Sequence, residues 1–252
     1  MKNKILMPFF MLGQFDEETT LDLVEMAVRG GADYLELGIP HTDPLADGKL
    51  LRETAHKAIA GGMTPRKAID MVFKIRKMHQ DIPIYILVYL NTLFGFGVEA
   101  FIEAVEDAGA RGLVIPDLPL EAQMDLKREF DFGRLDLITF TSPTSSKRIE
   151  DIVQTASGFI YSVNYLGITG SRQNGHGVDE RVIANYKAIK KHTKVPVLSG
   201  FGIDSIESAK LASEHADGVI IGSKICQMLE MTSASERGPK LCAFIQSVKA
   251  VL

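Results

Sequence analysis

Several residue types are scarce in this chain of 252 residues, and each scarcity excludes a class of protein. The two cysteines, Cys226 and Cys242, match no zinc or redox spacing, so we interpret them as buried free thiols. Few cysteines and no recognisable signal peptide indicate a reducing, cytoplasmic setting. Lysine and arginine are scattered, the net charge is −4, and no apolar run reaches the roughly 20 residues of a bilayer span. We therefore expect neither nucleic-acid nor membrane binding.

Three sequence signatures of catalysis are also missing. No lysine lies within the apolar runs, where a Schiff-base lysine is expected, and no histidine is spaced from an acid as metal ligands are. The nucleophile motif G-x-S-x-G does not occur. We therefore predict chemistry by carboxylates, with no metal, no cofactor in this chain and no covalent intermediate.

Short apolar runs alternate with amphipathic helical patterns along the whole chain. Nearly continuous apolar runs are typical of parallel strands that are covered on both faces. Eight are present: Ile5–Phe10, Tyr34–Leu37, Ile84–Val88, Gly112–Ile115, Leu135–Phe140, Phe159–Val163, Val195–Leu198 and Gly218–Ile221. Among the intervening segments, helices are predicted with an N-cap at Thr64 before Pro65 and at Glu17–Arg29, Val98–Asp107, Asp204–His215 and Leu241–Val251.

Eight strand–helix units in about 250 residues predict a single α/β domain over residues 1–252, a (β/α)8 TIM barrel with a parallel eight-stranded core. A doubly wound open sheet is the alternative, which we disfavour because no GxGxxG follows the first strand. In a barrel of this kind the active site lies in the loops at the carboxyl ends of the strands. Polar residues at those ends are therefore the functional candidates.

The second apolar run contains a carboxylate, Glu36, and leads into a loop with Asp43 and Asp47. A buried charge is unfavourable unless it is paired or used, and the ends of the first and third runs offer no basic residue to pair with Glu36. We therefore favour catalysis for Glu36. Asp47 precedes Gly48, so a turn role and an acid–base role are equally open. Asp43 precedes Pro44 and indicates turn structure.

Small residues recur in the loops after the last three runs: Gly167–Gly170, Gly200–Gly202 and Gly222-Ser223. Each alone is consistent with a tight turn. Together they favour a phosphorylated substrate, because this fold binds phosphate in such loops through backbone N–H groups and a helix N-terminus. Tyr89 and Asn91, after the third run, are candidates for an aromatic wall and a polar contact. Asp117 lies between two prolines and is interpreted as part of a rigid turn rather than as a catalytic acid.

The order of these motifs resembles the tryptophan synthase alpha chain family. The acidic motif Leu35–Pro40 followed by Asp43–Gly48 is the most specific part of the resemblance. Further short motifs extend it nearly end to end: Pro8-Phe9 with Gly13, Tyr89–Asn91, Pro116–Pro119, Ser142–Ser145, Gly158–Tyr161, Gly167–Gly170, Gly200–Ile203 and Gly222-Ser223. The resemblance implies a lyase of tryptophan biosynthesis that cleaves indole-3-glycerol phosphate to indole and glyceraldehyde 3-phosphate.

The resemblance also implies roles for individual residues. Glu36 becomes the main acid–base residue, and burial favours its protonated form. Asp47 accepts a hydrogen bond from the indole N–H and stabilises the positive charge that builds there. The implied substrate-binding residues are Phe9, Leu87, Tyr89, Tyr161 and Thr169, the last on a loop that closes over the substrate. The implied phosphate-binding residues are Gly170, Phe201, Gly202, Gly222 and Ser223.

The implied partner is a beta chain with pyridoxal phosphate, which consumes the indole within an alpha-beta-beta-alpha heterotetramer. Two departures bear on that partner: His41 stands where the family usually has Phe or Tyr, and Lys49 where it usually has Pro. Two alternatives therefore stay open, a stand-alone lyase that releases free indole and a weakly catalytic subunit that mainly activates the beta chain. Another phosphate-binding barrel, such as a sugar-phosphate isomerase, is disfavoured because it does not require the acidic motif.

Overall fold

The computed structural model describes residues 4–163, 180–200 and 202–252, without the side chains of residues 146 and 147. Nine strands lie within those ranges: β1 (Ile5–Met11), β2 (Leu35–Gly38), β3 (Ile84–Leu87), β4 (Gly112–Val114), β5 (Asp136–Leu137), β6 (Thr139–Thr141), β7 (Ile160–Val163), β8 (Val197–Gly200) and β9 (Gly218–Ile221). They form one sheet in the order β5-β4-β3-β2-β1-β9-β8-β7-β6, and every pairing is parallel. Because only Ile138 separates β5 from β6, the two edges of the sheet meet. The predicted parallel barrel is confirmed.

Helices connect the strands of the barrel. Those within the described ranges are α1 (Glu17–Arg29), α2 (Lys49–Ala60), α3 (Pro65–Met78), α4 (Leu90–Phe96), α5 (Val98–Asp107), α6 (Leu120–Glu129), α7 (Ile149–Gln154), α8 (Glu180–His192), α9 (Ile206–Ser213), α10 (Ser223–Glu230) and α11 (Ala234–Lys249), with a 3-10 helix at Pro143–Arg148. The predicted bounds of α1 and α5 are confirmed. So is the start of α3, where the Thr64 hydroxyl accepts the Lys67 N–H at 3.3 Å. None of these helices is long and apolar enough to cross a membrane.

The fifth predicted strand, Leu135–Phe140, is wrong in one respect, because it consists of two short strands on either side of Ile138. β5 pairs with β4, and β6 pairs with β7, so the sheet closes on itself at this segment. The buried amide of Gln123 on α6 donates to the carbonyls of Leu137 and Ile138, at 3.0 and 3.5 Å. These two hydrogen bonds hold α6 against the segment where β5 passes into β6.

Three other predicted elements have different bounds near the C-terminus. The helix predicted at Asp204–His215 is the shorter α9, which has Ser205 as its N-cap. The strand predicted at Val195–Leu198 is β8. It begins later because Pro196 has no N–H to contribute to a ladder, and it ends later because Gly200 still pairs with Val163 of β7. The last helix, α11, begins at Ala234 rather than at the predicted Leu241 and contains Pro239 within it. Because proline usually marks a helix boundary, the sequence pattern around Pro239 predicts a start of α11 that is too late.

The two cysteines are both free. Cys226, on α10, is buried, as predicted. The prediction is wrong for Cys242, which is only half-buried. It lies on α11, which packs against α1 and therefore has one face away from the barrel.

The barrel interior and the layer beneath the helices are separate apolar clusters. Along β1, Met7, Phe9 and Met11 belong to the interior cluster, whereas Leu6 and Phe10 pack beneath the helices. This alternation follows from the two-residue period of a strand. Other strands, the loops that follow them, α2 and α10 complete the interior cluster: Leu51, Ala55, Tyr85, Leu87, Tyr89, Val114, Ile138, Phe159, Tyr161, Leu198, Ile220 and Cys226.

Candidate active site

Glu36 lies on β2 with its side chain inside the barrel. In the ladder it is aligned with Phe9 of β1 and Tyr85 of β3, and both belong to the interior cluster. Residues aligned across neighbouring strands face the same side of a sheet. Glu36 is 1% exposed, and no described residue donates a hydrogen bond to its Oε1 atom. It is therefore a buried acid with no cationic partner among the described residues.

Asp47 lies at the end of the loop between β2 and α2. The loop turns at Pro44, whose carbonyl accepts the Asp47 N–H at 3.0 Å, and Gly48 is the N-cap of α2. The Asp47 side chain is nevertheless buried, and its carboxylate accepts a hydrogen bond from the Tyr89 hydroxyl. The turn interpretation of Asp47 is therefore confirmed, and the acid–base interpretation stays a prediction that the buried carboxylate fits.

The two carboxyl groups differ in the charge that they have near neutral pH. Burial, reinforced by the charge of Asp47, raises the pKa of Glu36 to about 8. Burial also raises the pKa of Asp47, to about 6, while the Tyr89 hydrogen bond and the charge of Arg52 oppose that rise. Near pH 7, Glu36 is therefore mostly protonated and Asp47 mostly ionised. One group can donate a proton while the other supplies negative charge.

Four predicted substrate-binding side chains are buried together in the interior cluster: Phe9, Leu87, Tyr89 and Tyr161. Two of the rings need a glycine beside them. A Cβ atom on Gly38 would lie 2.7 Å from the Phe9 ring, and one on Gly200 would lie 2.0 Å from the Tyr161 ring. Burial and the charges of both carboxyl groups raise the pKa of Tyr161 well above its ordinary value. The aromatic walls and the two acids therefore share one space.

Three predicted phosphate-binding residues lie just beyond the carboxyl ends of β8 and β9. Gly222 is the N-cap of α10 and, as a glycine, has no side chain to cap the helix. Ser223 is the first helical residue. Gly202 has a φ of +79°, which favours glycine, and no described atom lies within 4 Å of a Cβ placed there. A Cβ on Gly222 would lie 3.4 Å from the Phe9 ring. The N–H groups of a helix N-terminus beside the aromatic pocket fit an oxyanion.

The remaining sequence candidates fall into three groups. Thr169, Gly170 and Phe201 lie outside the described residues. Asp43 and Asn91 are exposed. Asp117, interpreted as part of a turn, accepts the Leu90 N–H at 3.0 Å and so caps the start of α4.

Sequence reasoning missed the polar contacts around Tyr89. The Tyr89 hydroxyl oxygen accepts the Ala46 N–H at 3.2 Å, and His41 Nδ1 lies 2.9 Å from Thr92 Oγ1. These contacts join the loop after β2 to the segment after β3. They depend on how the loop folds back, which no local pattern of residues indicates.

The site has the parts of an acid–base catalyst. Across the described ranges, no group of three or more His, Cys, Asp or Glu side chains is arranged to hold a metal ion. Two buried carboxyl groups of different charge lie inside a parallel barrel and in a loop at its carboxyl end. This combination is that of a (β/α)8 barrel with two buried carboxyl groups at its catalytic end, which fits acid–base chemistry.

Comparison with known proteins finds relatives that match nearly the whole chain. The sequence profile of the family described as tryptophan synthase alpha chain matches residues 1–251. The tryptophan synthase alpha chain of Shouchella clausii (strain KSM-K16) is 42% identical over 228 residues, which are 90% of this chain and 84% of that one. The alpha chain of Thermoanaerobacter sp. (strain X514) is 36% identical over 250 residues, 99% of this chain and 94% of that one.

A solved structure of a tryptophan synthase alpha subunit has the same fold as this chain. Tryptophan synthase subunit alpha from Legionella pneumophila str. Paris has a TM-score of 0.86 and 29% identity, over 98% of this chain and 92% of that one. The chain belongs to the tryptophan synthase alpha chain family, and it is therefore a lyase of tryptophan biosynthesis. The resemblance seen in the acidic motif is confirmed.

The raised pKa of Glu36 makes folding stability depend on pH. Between about pH 4.5 and 8 the folded protein binds more protons at Glu36 than the unfolded chain does, so the free energy of unfolding falls as pH rises. Above that range the loss is on the order of 5 kcal/mol. We expect Glu36→Gln to match the wild type near pH 4 and to exceed it in stability near pH 8.5, as measured by urea unfolding.

The control for this prediction is Glu99→Gln, at an exposed position on α5. We expect this variant to follow the wild-type curve at every pH. If the curves of Glu36→Gln and the wild type are parallel, Glu36 is not a buried protonated acid.

Proposed function

We propose that this chain cleaves indole-3-glycerol phosphate by a retro-aldol reaction, which releases indole and glyceraldehyde 3-phosphate. The observation that best supports the proposal is Glu36, a buried acid with a pKa of about 8 whose charge state is coupled to Asp47. Family membership supplies the class of reaction, and the two carboxyl groups fit the proton transfers that this reaction requires.

Glu36 moves protons in both directions during the cycle. Its protonated carboxyl group delivers a proton to the indole carbon that bonds the glycerol side chain, which leaves positive charge on the ring nitrogen. The bond from that carbon to the side chain then breaks as the side-chain hydroxyl loses its proton to Glu36 and becomes the aldehyde of the product. One proton is given and one is taken, so the carboxyl group ends as it began.

Asp47 stabilises the charge that develops on the indole. Its carboxylate accepts the ring N–H, and its negative charge favours the protonated ring most strongly when that ring is formed. The rings of Phe9, Tyr89 and Tyr161 hold the indole in an environment of low polarity, where this attraction is larger than in water. The protonated indole is the electron sink, so the cleavage needs no Schiff base.

The phosphate group anchors the substrate at the other end. Gly202, Gly222 and Ser223 offer backbone N–H groups there, and the N-terminal end of α10 favours negative charge. We assign Gly170 and Phe201 to the same phosphate site and Thr169 to closure over the substrate, as the family resemblance implies. Binding energy at the phosphate then positions the indole for proton transfer.

The two pKa values predict a bell-shaped dependence of kcat/KM on pH. Activity requires ionised Asp47 and so rises through about pH 6, and it requires protonated Glu36 and so falls through about pH 8. Because the groups interact, the two limbs report values for the pair. Steady-state assays from about pH 5 to 9 measure both limbs, and activity that keeps rising beyond pH 8.5 would contradict the assignment of Glu36 as the acid.

The reaction itself is tested by product analysis. Purified chain is incubated with indole-3-glycerol phosphate, and indole and glyceraldehyde 3-phosphate are measured together. We expect both products in equal amounts, with unchanged rates after treatment with a chelator. Release of neither product by the chain, alone or with a beta chain, would reject the proposal.

We further propose that the chain acts in the cytoplasm with a pyridoxal-phosphate beta chain, in an alpha-beta-beta-alpha assembly. Two large apolar side chains support a partner surface beside the site: Leu45, in the Asp47 loop, is 75% exposed, and Phe94, on α4, is 53% exposed. Free thiols in both cysteines fit a reducing compartment. Turnover measured with and without the cognate beta chain separates the alternatives, since a stand-alone lyase is not accelerated and a weakly catalytic subunit cleaves substrate in neither state.

A further inference from the structure

The Asp47 loop is folded around a single aromatic ring, that of Tyr89. At the end of the loop, the Tyr89 hydroxyl donates to the Asp47 carboxylate and accepts the Ala46 N–H at 3.2 Å. At the beginning of the loop, the His41 ring stacks on the Tyr89 ring, with centroids 5.1 Å apart and planes inclined by 15°. Both ends of the loop therefore contact the same buried side chain.

His41 is itself held by a second contact. Its Nδ1 atom lies 2.9 Å from Thr92 Oγ1, on the first turn of α4. A ring that is bonded at one edge cannot rotate freely, so this bond keeps the imidazole face parallel to Tyr89. The start of α4 is in turn fixed by Asp117, which accepts the Leu90 N–H. A phenylalanine at position 41 could stack on Tyr89 but could not bond Thr92.

We propose that His41 is a positioning residue for Asp47. His41 holds Tyr89 by ring stacking and by its bond to Thr92, and Tyr89 holds the Asp47 carboxylate. The effect on turnover rests on the proposed function, in which Asp47 stabilises charge on the substrate. His56 fixes the loop by a different route, since its Nε2 donates to the Thr42 carbonyl at 2.8 Å.

The pKa of Asp47 reports on this arrangement independently of activity. The titratable groups that interact with Asp47 come from five segments: Glu36 on β2, Arg52 on α2, Tyr89 after β3, Tyr161 on β7 and Cys226 on α10. Burial raises the pKa of Asp47, and the Tyr89 hydrogen bond opposes that rise. A displaced Tyr89 hydroxyl therefore raises the pKa of Asp47 further.

The test uses His41→Phe, Thr92→Val and the double variant. For each, kcat and KM are measured with indole-3-glycerol phosphate, and the Asp47 carboxyl group is titrated by carbon-13 NMR. We expect each single variant to lower kcat about tenfold, with KM within about twofold, and to raise the pKa of Asp47. The double variant should also lose about tenfold, because both substitutions remove the same interaction. His192→Phe, at an exposed position on α8, is the control for the substitution itself.

Three outcomes would overturn the proposal: an unchanged pKa of Asp47 in both single variants, a change confined to KM, or a double-variant loss of about a hundredfold. Circular dichroism establishes that each variant is folded. If the wild type releases no product while the variants still raise the pKa of Asp47, the positioning role stands and the proposed function fails. The two proposals are therefore tested separately.

Discussion

Replacing Glu36 by glutamine should lower kcat for indole-3-glycerol phosphate about 10³-fold, with KM within about threefold. Glutamine has nearly the same shape as the protonated carboxyl group, so it preserves packing inside the barrel. It cannot deliver a proton to the indole or take one from the side-chain hydroxyl. Substrate binding should persist because the phosphate contacts and aromatic walls are unchanged. Steady-state assays with the purified variant measure both constants.

Glu99→Gln serves again as the matched control, since Glu99 is exposed on α5. We expect its kcat to stay within about twofold of the wild-type value. Turnover of Glu36→Gln within tenfold of the wild type would show that another group moves the proton. The gain in stability of Glu36→Gln at high pH, described above, distinguishes loss of chemistry from loss of fold.

Replacing Asp47 by asparagine should lower kcat about 10²-fold and raise KM only slightly. The asparagine oxygen can still accept the indole N–H, so binding of the ground state changes little. The negative charge is absent when the ring becomes positive, and the cost therefore falls on the transition state. Without that charge the pKa of Glu36 should also fall, because the charge of Asp47 contributes to its rise.

Asp43→Asn is a close control for this variant because Asp43 belongs to the same loop but is exposed. We expect Asp43→Asn to keep kcat within about twofold of the wild type. Equal losses in the two variants would indicate that loop structure, rather than the charge of Asp47, determines the rate.

The barrel is predictable from the sequence because each of its parallel strands is covered on both faces. The apolar runs at Ile5–Phe10 and Gly218–Ile221 are therefore nearly continuous and stand out from the helical patterns. The closure of the sheet is not predictable in the same way. The fifth run divides into two strands at Ile138, where Gln123 donates to two carbonyls from another part of the chain. A tertiary contact of this kind has no local signal.

In the candidate site too, some residues are predictable from the sequence and others are not. Glu36 is recognisable because a carboxylate in an apolar strand is unfavourable without a partner or a use. Asp47 is ambiguous in the sequence, since Asp-Gly is common in turns. Its burial and its bond to Tyr89 arise only when the loop folds back on the segment after β3. The stack of His41 on that same ring is a consequence of the loop's path, so the sequence marks His41 only as a departure from the family pattern.

The central claim is that Glu36 is a protonated acid near neutral pH in the folded protein. Carbon-13 NMR titration of the Glu36 carboxyl group measures this directly, and the Glu36→Gln variant identifies its resonance. The account predicts a pKa of about 8, with the Asp47 carboxyl group titrating near 6 in the same sample. A pKa of Glu36 close to the ordinary value of 4.5 would contradict the account, because the group would then be ionised and unable to protonate the indole.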